Sequence, residues 1–314
     1  MLCYNAAMKF GFAQHILGRA GLRSHDSRRW QNNPHLSVSL AYLRDILIYL
    51  DSQDIRMYRM AADLAPYLTH PGHPRFHRQI EECEAELAAV GELARRLGMR
   101  LSFHAPAYVL LNTPDPQRRL RSVRMLDGLA AILDAMGLGD EAVVVVHIGG
   151  HYHAHQAARA EFVRGWESLA EPTRRRLVLE HDDRRFDVLD ILWVHRRTGV
   201  RLIFDFLHHQ LYNPHGIPVA DALAMCLATW PPHQTPKIHF STPTTEMVRD
   251  RKGNPHPPRL NRHSHYINPF TFIDFLRSLP PMRDFDIMIE ARARDLALLQ
   301  LRRHLARFAP DLVE

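Results

Sequence analysis

Six apolar runs in this chain each deliver a side chain that can bind a metal ion. "RLSFHAP" offers His104, "VVVVHIGG" offers His147 and "LVLEHDD" offers Glu180. "LIFDFLHH" offers Asp205 with His208 just beyond it, "KIHFST" offers His239 and "DIMIEAR" offers Glu290. One histidine after a buried strand is usually a hydrogen-bonded core residue. Six such groups in succession are different, because clustered carboxylates and imidazoles in apolar surroundings are costly without a compensating cation. Nitrogen and oxygen donors without thiolate suit Mn²⁺, Zn²⁺ or Fe²⁺. With His263 from a later loop, the donors suffice for two or three divalent ions, and Glu180 is suited to bridging neighbours. Ions about 3.5–4 Å apart form the arrangement that hydrolyses phosphodiesters, one activating water and one stabilising the departing oxygen.

Those side chains meet only if their strands end on a common face. Apolar runs at Phe10–Ala13, Met57–Met60, Leu101–His104, Val143–Ile148, Leu177–Glu180, Leu202–Phe206, Lys237–Ser241 and Ile287–Ala291 read as strands. Helical patterns alternate with them at Ser39–Leu50, Ile80–Leu97, Leu120–Met136, Ala157–Leu169, Val188–Arg197, Val219–Ala228, Phe270–Leu279 and Leu296–Phe308. Continuous apolar strands imply burial on both faces, as in parallel sheets. Eight strand–helix units predict an α/β fold, a closed (β/α)₈ TIM barrel spanning residues 1–314 as a single domain. Strand ends then converge on one mouth. Gly149 and Gly150 let the chain turn away beside His147. No GxGxxG follows the first strand and no GxxxxGK[ST] occurs, which removes dinucleotide and P-loop chemistry. The long loop Thr242–His265 carries Arg249–Lys252, Arg259 and Arg262 beside the mouth, placed to clamp phosphates.

Composition narrows the partners. Hydrophobic residues make up 46% of the 314, enough for a real core. Cys3, Cys83 and Cys226 are too few and scattered for a disulfide framework, so reduced thiols and a cytoplasmic location are expected. The stretch MLCYNAAMKFGFAQ lacks the apolar core of a signal peptide, and no run approaches the ~18 apolar residues that span a bilayer. Net charge is +6, nearly all of the excess being arginine, which suits a polyanionic partner. Arginine pairs along the helices, Arg174 to Arg176 among them, read as outer-surface charge. His151, His153 and His155 read as solvated loop histidines, and Trp166, Trp193 and Trp230 as packing residues.

The same stretches, with "RMAADLAPYLTHP", "LSFHAPAYV", "PKIHFST" and "RHSHYI", resemble the UV damage endonucleases, DNA-repair enzymes related in fold to endonuclease IV. The matches run from Arg59 to Arg292. The resemblance implies a monomeric endonuclease with two or three divalent ions, manganese first and zinc second. Its substrate would be damaged double-stranded DNA, nicked 5′ to the lesion. By position, His104, His147 and Glu180 would hold one ion, and Glu180, Asp205, His239 and Glu290 a second. His208 and His263 would hold a third. Lys237 matches a lysine that helps bind or polarise the scissile phosphate, which with Glu180 makes the catalytic pair. Tyr108 matches an aromatic wedged into the damaged duplex, and Arg59 and Arg262 would meet DNA. The chain departs from the family at Ala107, where a glutamine precedes the wedge, and at Asp63, Ala61, Ala62 and Arg292. The lesion-sensing side is therefore altered more than the metal side.

Two other readings share the residues. A sugar isomerase or epimerase also uses strand-end Glu, Asp and His around divalent metals, but with less histidine and less basic charge. A non-catalytic DNA-binding barrel would have no reason to keep so many costly groups.

Overall fold

The structure, a computed structural model, describes residues 8–152 and 154–312; Cys3 and His153 lie outside the described residues. Barrel strands β1 (Phe10–Ala13), β2 (Met57–Arg59), β3 (Arg100–His104), β4 (Val144–His147), β5 (Leu177–Glu180), β6 (Arg201–Ile203) and β7 (Lys237–Phe240) follow in chain order. A small antiparallel hairpin, β8 (Val248–Arg249) and β9 (Pro255–His256), precedes the last barrel strand, β10 (Asp286–Ile289). The parallel sheet runs β6-β5-β4-β3-β2-β1-β10-β7. It closes between β6 and β7 through a single bridge, Asp205 opposite His239, with the His239 N–H on the Phe204 carbonyl. This is the (β/α)₈ barrel that the eight units predict.

Register positions the site. His147 lies opposite Glu180 across β4 and β5, and Asp205 lies opposite His239 at the closing seam. The core between strands and helices is built by helical spacing: Leu36–Ser52 turns Leu36, Leu40, Leu43, Leu47 and Leu50 inward. Two helix starts on this scaffold are capped as their sequences demand. Asp115 accepts from the Gln117 and Arg118 amides before Pro116–Ala135, and Asp187 and Asp190 form a reciprocal box at Val188–Thr198.

Several boundaries differ from the sequence reading. The segment Ile80–Leu97 is two helices, Gln79–Glu82 and Glu84–Arg96, broken at Cys83. Strand β6 ends at Ile203 instead of Phe206, because Asp205 becomes the N-cap of a short helix, Phe206–Leu211. Arg176 is no outer-surface charge: it is buried, donating to the Gly139, Ala142 and Leu138 carbonyls and to Asp134. Trp230 is buried and donates to the Leu202 carbonyl, while Trp193 lies against the guanidinium groups of Arg159 and Arg197. Cys83 and Cys226 are buried free thiols. Among the described residues no helix is long and apolar enough to cross a membrane.

Glycine is required by space or backbone at several positions, and two bear on the site and the helix layer. Gly149 has φ +109°, a conformation side chains rarely adopt, immediately after the β4 ligand. Gly91 lets the helix Glu84–Arg96 pass the end of the next helix so closely that a Cβ would stand 1.8 Å from the Met136 carbonyl oxygen. Gly91→Ala is therefore expected to destabilise the barrel by about 1–3 kcal/mol, against the gain alanine normally brings to a helix. A lowered urea midpoint at unchanged m-value is the readout.

Candidate metal centre

Each barrel strand from β3 onward brings one polar side chain to the mouth, and the ladder brings their tips together. Glu180, 1% exposed, is the hub. Its Oε2 lies 3.2 Å from His104 Nε2 and 3.6 Å from His147 Nε2. Its Oε1 accepts from His239 Nδ1 at 2.9 Å and lies 3.4 Å from His208 Nδ1. Glu290 faces the same His239 nitrogen at 3.4 Å and is bonded from behind by Arg59. Three donor sets have ligand atoms all within 4.8 Å of one another: His104, His147, Glu180; Glu180, Asp205, His208; and Asp205, His239, Glu290.

The donor set fits divalent cations on grounds visible in the chain itself. Asp205 Oδ2 and His239 Nε2 are buried and have no hydrogen-bond partner among the described residues. A buried orphan acceptor and an orphan imidazole nitrogen each carry a desolvation penalty that a cation would relieve. The histidines are also pre-oriented. His104 donates its Nδ1–H to the Ala105 carbonyl, His147 to the Glu180 carbonyl, His208 to the His181 carbonyl and His263 to the Glu290 carbonyl. Backbone anchoring of Nδ1 leaves Nε2 as the free lone pair, the arrangement that metal-ligating histidines use.

The sequence-predicted residues fall as follows. His104, His147 and Glu180 come together as one set, and Asp205, His239 and Glu290 as another, with Glu180 touching both. His208 and His263 are not joined in any donor set among the described residues. Instead His208 sits with Glu180 and Asp205, while His263 Nδ1 lies 3.7 Å from Glu290 Oε2. The loop Thr242–His265 delivers His263 because its base is pinned by the Pro243–His263 bridge and the Ser264 amide on the Thr242 carbonyl. Arg59 lines the cleft with its guanidinium committed to Glu290. Lys237 is completely buried beneath the cluster and donates to Ser102 Oγ at 3.0 Å. Arg262 is exposed on the rim loop. Tyr108, 62% exposed, borders a cavity of about 570 Å³ beside the metal cleft, whose own volume is about 420 Å³. Sequence reasoning missed His181, fully buried, whose Nε2 accepts from the Asp205 amide at 3.0 Å. Its only signal was its place next to Glu180. His155 is bound, not loosely solvated: its Nε2 donates to Asp190 at 3.0 Å.

Crowding of like and unlike charge shifts these groups strongly. Burial opposes ionisation of Glu180, but the imidazoles of His239 and His147 outweigh it and hold the carboxyl well below the usual range. Burial pushes His147 down to about 4. Burial likewise works against charge on His208, yet Asp205, Glu180 and Glu290 raise it to about 9. Burial, then the positive charges of Arg100 and Arg59, depress Lys237 well below its ordinary value. The metal-free protein thus carries a proton on His208 at neutral pH, and a cation taking that position must displace it. Metal affinity should rise with pH up to about 9 and fall on acidification. Calorimetric Mn²⁺ titrations at pH 7 in buffers of different ionisation enthalpy should show release of about one proton as the site that His208 serves is filled.

Comparison with known proteins bears on this geometry. The profile of the UV-endonuclease UvdE family matches residues 26–311. A protein of Bacillus pumilus named UV DNA damage endonuclease is 29% identical over 257 residues, 81% of this chain and 76% of that one. Another of that name from Halalkalibacterium halodurans is 29% identical over 292 residues, 92% of this chain and 84% of its own. The crystal structure of SacUVDE superposes with a TM-score of 0.81 at 25% identity, covering 96% of this chain and 98% of that one. The E. coli 3-keto-D-glucoside 4-epimerase YcjR, at TM-score 0.56 and 12% identity over 96% of this chain and 98% of its own, shares the barrel alone. The profile spans the closing seam, every candidate ligand and the rim loop, and the chain belongs to the UV-endonuclease UvdE family.

Proposed function

We propose that this chain is a metal-dependent endonuclease that nicks damaged double-stranded DNA 5′ to the lesion. It would do so as a single barrel domain over residues 1–314, a monomer working in the cytoplasm where its DNA substrate lies. Family membership makes it a DNA-cleaving hydrolase. The observation that carries the metal dependence is the donor cluster with its two buried orphans, Asp205 Oδ2 and His239 Nε2. His104, His147 and Glu180 would hold one ion; Asp205, His239 and Glu290, with Glu180 shared, a second. His208 with Glu180 and Asp205 forms the third set, and His263 backs Glu290. Manganese is the first choice and zinc the second, since the donors are imidazole and carboxylate without sulfur. Such ions supply charge that acidifies water and stabilises a departing oxygen in phosphodiester hydrolysis.

The chain's own groups complete the work. Glu180 fixes the spacing of the donor sets because both its oxygens are engaged. Arg59 holds Glu290 in place and adds positive charge to the cleft wall. Lys237 lies beneath the cluster, held on Ser102 Oγ and within the field of Glu180 and Glu290. At the rim, the exposed Arg249–Lys252 hairpin and Arg262 meet the backbone phosphates, a contribution that salt weakens. The ring of Tyr108 is the group placed to enter a disturbed base stack.

Incubation of the purified protein with Mn²⁺ and 5′-labelled duplexes, undamaged, abasic or carrying a pyrimidine dimer, tests the proposal. Incision 5′ to a lesion is expected, falling to background in Glu180→Ala. Intact duplexes in every lane, with metal bound, would refute it. Tyr108→Ala should retain binding to undamaged duplex but lose about 1–3 kcal/mol of preference for the lesion, measured by competition.

A further inference from the structure

One side of the mouth carries basic groups that the metal cluster does not use. Strands β1 and β10 lie next to each other there, and Arg294 opens the helix Arg294–Phe308 just after β10. Arg294 has φ +54°, in the left-handed region that glycine adopts freely and an arginine does not. Its guanidinium has no hydrogen bond or ion pair among the described residues. Burial, then the charge of Arg59, lowers its pKa, so the cation sits uncomfortably where it is. The neighbouring carboxylates are already spent. Glu290 is bonded by Arg59, and Asp295 is fully buried, accepting from the Leu17 and Gly18 amides and the Tyr49 hydroxyl.

The same Asp295 contacts pin the loop after β1, which presents two histidines to the metal cleft. His15 and His25 both line it. Their Nδ1 atoms share the buried Ser24 hydroxyl at 3.3 and 3.0 Å, and neither Nε2 has a partner among the described residues. Asp26, the next residue, is locked by Arg28 and the His35 amide, so the loop is held at both ends. Burial, Arg294 and His25 all act to lower the pKa of His15, which marks the local potential as positive. On the outer rim the acid is Asp63, exposed after β2 and therefore well screened. Ala293 supplies no side-chain cap, so the start of the last helix adds its own partial positive charge. Barrel enzymes often seat phosphate at the loops after the last strands and a helix N-terminus.

We propose that Arg294, with His15 and His25, grips a DNA backbone phosphate neighbouring the scissile one, on the β1–β10 side of the metal cleft. The proposal rests on the endonuclease reading and assigns substrate-positioning residues that reading did not include. A backbone strain kept at an arginine with no partner among the described residues has its explanation in an anion supplied from outside.

Fluorescence anisotropy of an undamaged duplex with the full-length protein, over a range of salt, tests it. Arg294→Gly suits the local backbone, so it should melt no lower than wild type while binding several-fold more weakly. Its log K against log salt slope should be shallower by about one, the loss of one phosphate contact. Arg294→Lys should restore the slope, and His15→Gln should weaken binding without changing metal content. Wild-type affinity and slope in Arg294→Gly, or a loss that Arg294→Lys shares in full, would overturn the proposal. Wild-type protein that shows no salt-dependent duplex binding would instead remove the endonuclease reading itself.

Discussion

Glu180, Asp205 and Glu290 are three carboxylates in one buried cluster, and the architecture of the mouth is a response to that crowding. Like charges so close cannot all remain ionised without compensation. The chain supplies part of it: Arg59 on Glu290, His239 between Glu290 and Glu180, and a proton retained on His208. It leaves the rest undone, since Asp205 Oδ2 and His239 Nε2 have no hydrogen-bond partner among the described residues. A fold selected for stability alone would replace such a cluster with apolar side chains. Its retention is intelligible as a site poised for cations, with protons standing in where the ions belong.

The barrel holds this arrangement where its own sheet is thinnest. Strands β6 and β7 share only one bridge, and the bridging residues are themselves donors. What compensates is packing behind the seam. Phe206 stacks on Phe240 with ring centroids 4.6 Å apart, and Phe272 and Phe275 close around them. Aromatic contact thus replaces ladder hydrogen bonds at the point where backbone is diverted to place ligands. Glu180 gains a second restraint, because its main-chain carbonyl holds the His147 ring while its carboxylate meets that ring's other nitrogen. Displacing one member therefore displaces several.

Much of this was legible in the sequence, for a physical reason. Strands buried on both faces read as unbroken apolar runs, so a polar residue ending such a run stands out, as His147 does after four valines. Groupings that depend on adjacent strands, such as His147 with Glu180, follow from barrel order alone. Groupings that depend on loop geometry do not. His208 reaches Glu180 because Asp205 caps a short helix and turns the chain back. His263 reaches Glu290 through a bridge between loop ends far apart in sequence. Arg176 differs from its neighbours only by carbonyls it meets from a distant loop, so the sequence pattern read it as surface charge, and Arg294 stands apart only by a backbone angle that no sequence pattern carries.

The two sides of the mouth differ in how tightly they are determined. On the metal side the strand-end donors are fixed by register and by further hydrogen bonds, so a substitution propagates through Glu180 to the others. On the side of Tyr108, Ala61, Ala62 and Ala107 have side chains too short to tie one loop to another. Asp63 and His25 border both the 420 Å³ cleft and the 570 Å³ cavity, so the two spaces lie side by side. Positions there answer mainly to what enters the cavity, because little in the protein leans on them. Such a surface can change while the chemistry beside it stays in place, since the register that assembles the donors does not pass through it.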